Sequence, residues 1–600
     1  MSYATSSSVT YFVRVLPDKH ELEIEMILTG AIAMGRIRLE TPTWAPGDYS
    51  FAPYARDLFE LQAQQLDTHQ SLTVTRDGWQ AFFIEQGNGA VSVKYTAYAY
   101  ATEFGEPSGI LDNEYAVLLG TRYLYTPAHL GACRVSYALP DTWKKIHHPA
   151  GAKRIDETTW EYPSYEILLD TPVVMGHFNL YSRTVHGTEF YHVFVDQGVG
   201  FAAEVESFVE KLARIAEVFY TIFGSFPFEN YTFVLTLNPA ADWGLEHLTS
   251  TMCGLGPDVF TVEDETAHGV RVCAHELFHA WNVRRLRPSP LKKLEEQLAV
   301  GSFTEGLWVA EGFTRYYEFL ACTRVGVYSV EQFFSSVIGY YQHLTVQPAY
   351  ERVSGVDSSL ATYLNHSKYS GRVNNSIDYY DKGMLIAFEA DSVLRIEVPD
   401  YSLDRAFAEF YRAYVDGGPE YTGYTTHDVI QFFEKIHHGL GEMLAAGAKH
   451  PAGLSVPVQL ERLGFRLNRQ EELYLGLVFK DDLGPTIYNV VDTSPAGQSG
   501  IAPEDILTGV NGYAFSSQSL QWAATHSAAV TLQVLRGHRI LSFSVTPAKR
   551  QKIQTLVWEG DKAQAERIAT WLGRKDFNPD KGQIFKLDFY ENFHGIETVL

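Results

Sequence analysis

The stretch HELFHAWNVRRLRP, His275 to Pro288, decides how this chain is read. Its first five residues form an H-E-x-x-H pattern. Val270, Ala274, Phe278 and Trp281 recur at three- and four-residue steps around it, so the segment is expected to be a largely buried helix. On such a helix two histidines four residues apart share one face, and their imidazole nitrogens can reach one metal ion. Glu276 is turned away by about 100° and is better placed to work on a water than to complete the ligand set. Two imidazoles and a carboxylate on one buried face are costly unless a cation joins them. The basic run that follows, Arg284-Arg285-Leu286-Arg287, reads as a solvated helix end.

A catalytic site of this kind needs a third protein ligand and an open fourth position. The candidate is Glu311, in Leu307-Trp308-Val309-Ala310-Glu311-Gly312-Phe313-Thr314. Val309, Phe313, Tyr316 and Leu320 mark another helix with an apolar face, where an unpaired carboxylate would be expensive. Glu318, two turns on, could orient a ligand histidine through a hydrogen bond. A His₂Glu donor set most often means zinc, one Zn²⁺ per chain.

Moving outward, 600 residues are too many for one compact core, and three or four domains are expected. With 46% hydrophobic and 20% charged residues the chain is an ordinary folded protein. A net charge of −24 with no long acidic run makes nucleic acid and anionic membranes improbable partners. Four scattered cysteines argue against a disulfide framework. No basic-then-apolar leader and no membrane-length apolar run occur in this sequence, so a cytoplasmic location is expected.

Period-two alternation (Leu22, Ile24, Met26, Leu28 against Glu21, Glu23, Glu25; likewise Val91, Val93, Tyr95) predicts an antiparallel β domain over 1–197. Phe208, Leu212, Ile215 and Phe219 then switch to helical period, and a mainly α-helical catalytic domain is expected over 198–445, with one strand at Tyr231 to Leu237. His437 to Pro457 reads as a linker. Short strands return over 458–548, and a C-terminal segment, 549–600, holds a helical run near Gln564 to Leu572. The fold class is multidomain α+β.

The H-E-x-x-H helix followed by W-x-x-E-G-F resembles the gluzincin (thermolysin-like) metallopeptidases, which implies Glu311 as the third zinc ligand. Glu311 follows His279 by about 32 positions, a longer connection than in the common aminopeptidases of that group. This spacing, the extended helix HELFHAWNVRRLRP and the element Trp44-Ala45-Pro46-Gly47-Asp48-Tyr49 resemble the glycyl aminopeptidase branch, whose members carry a PDZ domain. The resemblance implies that Gly244-Leu245-Glu246-His247 lies beside the substrate, with Glu246 on its free α-amino group. A fixed carboxylate there would admit chain ends and reject chain interiors. It also implies that Tyr380, in Tyr379-Tyr380-Asp381-Lys382-Gly383, donates a hydrogen bond to the oxyanion.

Tyr474-Leu475-Gly476-Leu477 resembles the carboxylate loop of a PDZ domain, and Ser494-Pro495-Ala496-Gly497 with Val510-Asn511-Gly512 continues that pattern. Such a domain either takes a C-terminal peptide ligand as a partner, captured by strand addition, or only packs against the catalytic domain, and the sequence leaves both readings open. The pattern is broken at Pro503-Glu504, where Gly before the Asp is usual. The function these resemblances imply is a zinc aminopeptidase acting on peptides with small N-terminal residues, Gly or Ala. The alternatives are a zinc endopeptidase guided by the PDZ domain, or an idle PDZ scaffold.

Overall fold

The structure, a computed structural model, describes residues 7–45, 47, 49, 51–101, 109–198, 200–238, 243–292, 298, 301–362, 372–415, 423–480, 484–587 and 597–599. The chain divides into two compact units, Met1–Phe303 with Gly417–Gly423, and Thr304–Asp416 with Tyr424–Leu600.

In the first unit the alternating segments become strands as expected. Glu21–Thr29 buries Leu22, Ile24, Met26 and Leu28 and pairs antiparallel with Ser8–Leu16 and Val91–Tyr98. They lie within an eight-stranded sheet that is antiparallel except where Ser8–Leu16 runs parallel to Cys133–Ala138. Its core gathers Tyr11, Val13, Tyr95, Val135 and Trp160. Ser92, on the polar side of the alternation, is nonetheless buried, because its hydroxyl bonds Glu25 at 2.6 Å.

A second sheet of this unit has five strands in the order Asn179–Val185, Thr188–Val195, Asn230–Thr236, Ser250–Gly254, Trp243–Glu246. The middle three run parallel and the outer two antiparallel. The helices Ala202–Phe223 and Glu263–Phe278 belong to the same unit. The sequence reading places a domain boundary at 197/198, and this sheet runs across that position, with Thr188–Val195 paired along its length with Asn230–Thr236. The sheet corrects the expectation of a single strand between 200 and 440, since Trp243–Glu246 and Ser250–Gly254 are strands too. Their four- and five-residue runs, rich in Gly, Ser and Thr, carry little period to detect.

The second unit begins with helices. Leu307–Ala310 and Gly312–Val325 cross Tyr379–Glu397 so closely that a Cβ on Gly312 would overlap Gly383, and one on Gly383 would overlap the Trp308 carbonyl. The glycines of W-x-x-E-G-F and Y-x-K-G therefore meet backbone to backbone. The expected linker, His437 to Pro457, is instead helical at Leu440–Lys449, with a second helix starting at Val456. Leu440, Leu444 and Ala448 are buried there, so the Gly- and Ala-rich composition serves close helix packing.

The C-terminal part of this unit is β-rich. Phe465–Tyr474 pairs with Ala548–Trp558, which pairs with Ile584–Lys586. The helix Lys562–Trp571 packs back on the helical part, with Trp571 stacked on Phe388 and its Nε1 donating to the Tyr316 hydroxyl at 2.9 Å. The PDZ-like core collects Leu475, Phe479, Val490, Leu507, Leu520, Leu532 and Val534. Glu504 stands at φ +68°, the left-handed conformation that explains why Gly is usual at this turn. No described helix is long and apolar enough to cross a membrane.

Candidate metal centre

The helix Glu263–Phe278 opens on Glu263, Asp264 and Glu265, whose charges suit its N-terminus, and delivers His275 and Glu276 in its last turn. His279 follows in helical conformation, its N–H on the His275 carbonyl. All three side chains are at least 97% buried. The two imidazoles lie 4.6 Å apart at centroids and 81° between planes. His279 Nδ1 sits 2.6 Å from the Asn282 carbonyl oxygen, which selects the tautomer with its proton on Nδ1 and leaves Nε2 as the coordinating nitrogen.

The edge strand Trp243–Glu246 belongs to the same unit as this helix. A Cβ at position 244 would overlap the Glu276 carboxylate, so a larger residue there would have to displace that side chain. Glu246, two residues on, is buried, and a Cβ on Gly47 would come within 2.6 Å of its Oε2. Gly47 also stands at φ +87°. The Trp44-to-Tyr49 element thus brings bare backbone against Glu246. Its contact with Glu246 was missed by the sequence reading, because spacing within one segment carries no information about a carboxylate 199 positions away.

Behind Glu246 stands a charged group that the sequence did not mark at all. Asp170 accepts from Arg284 Nη2 at 2.6 Å and from the Leu248 N–H at 2.8 Å, and its Oδ1 lies 3.4 Å from His247 Nδ1. Burial pushes the Asp170 carboxyl up, but Arg284 and His247 together bring it below the usual aspartate value. The expectation of a solvated basic run at Arg284 to Arg287 is corrected here. Arg284 is buried, Arg285 donates to the Leu248 and Ala280 carbonyls, and Arg287 bonds Glu166 at 3.0 Å.

In the second unit Glu311 joins the helices Leu307–Ala310 and Gly312–Val325 and is 1% exposed. Glu318 is fully buried one helical stretch later, within the electrostatic reach of Arg315. Tyr380 is half-buried in the first turn of Tyr379–Glu397, where its N–H bonds the Asp378 side chain at 2.7 Å. The Arg315 guanidinium lies 4.7 Å over its ring and pairs with Asp381. That cation next to the ring favours the phenol as a donor.

Among the described residues of the first unit, Glu246, Glu276 and His279 have ligand atoms within 4.8 Å of one another. His275 and His279 are two buried imidazoles one helical turn apart and Glu311 is a buried carboxylate of the second unit, residue types that fit a catalytic zinc ion. Glu246 Oε1 has no hydrogen-bond partner among the described residues.

Family models match three parts of the chain: M61 glycyl aminopeptidase at 268–386, the peptidase M61 N-terminal domain at 10–177, and a PDZ domain at 461–546. These matches make the chain similar to M61 peptidases over its N-terminal and central parts and to PDZ domains beyond them. The resemblance to PDZ-containing glycyl aminopeptidases that the zinc helix, the Trp44 element and the C-terminal strands suggested is borne out.

A crystal structure of an aminopeptidase N family protein from Idiomarina loihiensis is similar at TM-score 0.83 and 20% identity, covering 94% of this chain and 100% of that one, and it shows a shared fold. An M1 zinc metallopeptidase from Deinococcus radiodurans matches at TM-score 0.45 and 16% identity over 76% of this chain and 96% of that one. A mutant of that metallopeptidase, bound to a Tyr-Ser-Ala substrate, matches at TM-score 0.44 and 17% identity over 75% of this chain and 95% of its own. No curated relative matches the chain.

Proposed function

We propose that this peptidase is a zinc-dependent aminopeptidase, with His275, His279 and Glu311 holding one Zn²⁺ per chain. The observation that carries the exopeptidase mode is Glu246. It is a buried carboxylate, held against Gly47, in ligand range of Glu276 and His279, with one oxygen lacking a partner among the described residues. An anion in that position calls for a cation from the substrate, and the free α-ammonium of a peptide supplies it.

When bound, zinc would polarise the scissile carbonyl and lower the pKa of the attacking water. Glu276, pressed against Gly244, takes the proton and returns it to the leaving amine. Glu246 and the Gly244 strand orient the N-terminus. Tyr380 donates a hydrogen bond to the developing oxyanion, with Arg315 and Asp381 fixing its ring. Glu318 orients a ligand histidine. The preference for small terminal residues, Gly or Ala, is supported by the match to the glycyl aminopeptidase family model.

The test is hydrolysis of glycyl- and alanyl-arylamides and of their N-acetyl forms by wild type and Glu276→Gln. Cleavage of the free amines alone, reduced about 10²–10⁴-fold by the substitution, is expected. Equal cleavage of acetylated and free substrates would replace the aminopeptidase reading by an endopeptidase one.

A further inference from the structure

The strand Leu477–Lys480 has partners on both sides. On one it pairs antiparallel with Asn489–Val490, and on the other with Glu597–Val599, from the far end of the chain. The register is Val478 with Val599, Phe479 with Thr598, and Lys480 with Glu597. Without those last residues Leu477–Lys480 would be the edge of its sheet, with a row of unpaired backbone groups open to any extended peptide.

This edge starts at the Leu475-Gly476 turn. Gly476 is held at φ +83°, and a Cβ there would overlap Ser494. The Leu475 and Gly476 carbonyls accept from the Ala496 and Val491 N–H groups at 2.9 Å each, which fixes the turn. The edge is also anchored on the helical part of its own unit. Val478 and Val491 pack with Val373, and the Asn374 side chain donates to the Val490 carbonyl at 2.8 Å and accepts from the Asp492 N–H at 2.9 Å. Val373 and Asn374 lie in Arg372–Asn375, immediately before the segment that carries Tyr380.

We propose that the PDZ-like domain is a functional peptide-binding site that this chain fills with its own residues, Glu597–Val599, as an intramolecular competitor. The ligand class is an extended peptide taken up by antiparallel strand addition. Because the tail is tethered, its effective concentration at the edge is high, so a free peptide of the same kind binds only after displacing it. The proposal is independent of the zinc reading, since no metal or catalytic group enters it.

The experiment uses the full chain, a variant lacking residues 597–600, and Thr598→Pro, which removes a strand N–H without touching the domain core. A fluorescein-labelled heptapeptide HGIETVL, the sequence of 594–600, is titrated into each and followed by fluorescence anisotropy. Both variants are expected to bind it at least ten-fold more tightly than wild type. Equal affinity in all three proteins, or no binding by either variant, would overturn the proposal. Amidolytic activity is measured in parallel, so that a failed zinc reading is not mistaken for a failed peptide site.

Discussion

The surroundings of the metal helix and the PDZ-like domain solve opposite problems. Around Glu276 the chain buries Asp170, Arg284, Glu246, His247, His275 and His279 together, and it makes room with glycines at 47 and 244. Such a cluster is expensive to fold and stays intact only because each charge has a partner or awaits one. The PDZ-like domain is built on an apolar core and keeps its polar chemistry in the backbone of one sheet edge. The first region binds by charge and is intolerant of change. The second, as proposed, binds by main-chain hydrogen bonds.

The sharpest way to break this contrast is Gly244→Ala. Its Cβ would displace the Glu276 carboxylate, and kcat is expected to fall about 100-fold with peptide binding at the PDZ edge unchanged. Near-normal kcat would show that Glu276 has slack, and the comparison would fail.

Next come the two buried aspartates. Arg284→Met leaves Asp170 charged among groups that are 4–6% exposed and is expected to cost about 3–5 kcal/mol in urea unfolding. Arg536→Met takes from the buried Asp505 a guanidinium that is 41% exposed and already screened by water and salt, while the Ala502 N–H still donates to Asp505, and is expected to cost about 1 kcal/mol or less. Equal losses would mean that the two regions hold their charges in the same way.

The smallest effect is expected at Glu504. Its φ of +68° costs a non-glycine residue roughly 1 kcal/mol, partly offset by the extra freedom glycine has when unfolded. Glu504→Gly should therefore raise stability by about 0.5 kcal/mol, read from the urea midpoint. A loss of stability would show that the Glu504 side chain earns its strained position.

What was legible in the sequence follows from local periodicity. Val270, Ala274, Phe278 and Trp281 announced a buried helix, and two histidines on it announced a metal. Leu22, Ile24, Met26 and Leu28 announced a strand, and all of these apolar residues are buried as expected. The reading failed where local composition has two physical uses. Gly and Ala in 437–457 serve helix packing as well as they serve a linker, and arginine at 284–287 neutralises buried acids as well as it decorates a surface.

By itself, then, the sequence determined the elements with a strong apolar period and the H-E-x-x-H pair, because each is set by spacing along one element, and it offered Glu311 as a third donor through the W-x-x-E-G-F resemblance. Only the tertiary structure decided that Gly47 abuts Glu246, that Gly312 meets Gly383, that Asp170 answers Arg284, and that residues 597–599 complete the PDZ sheet. These are meetings between segments far apart in the chain, and they depend on packing and strand register, which no local pattern encodes.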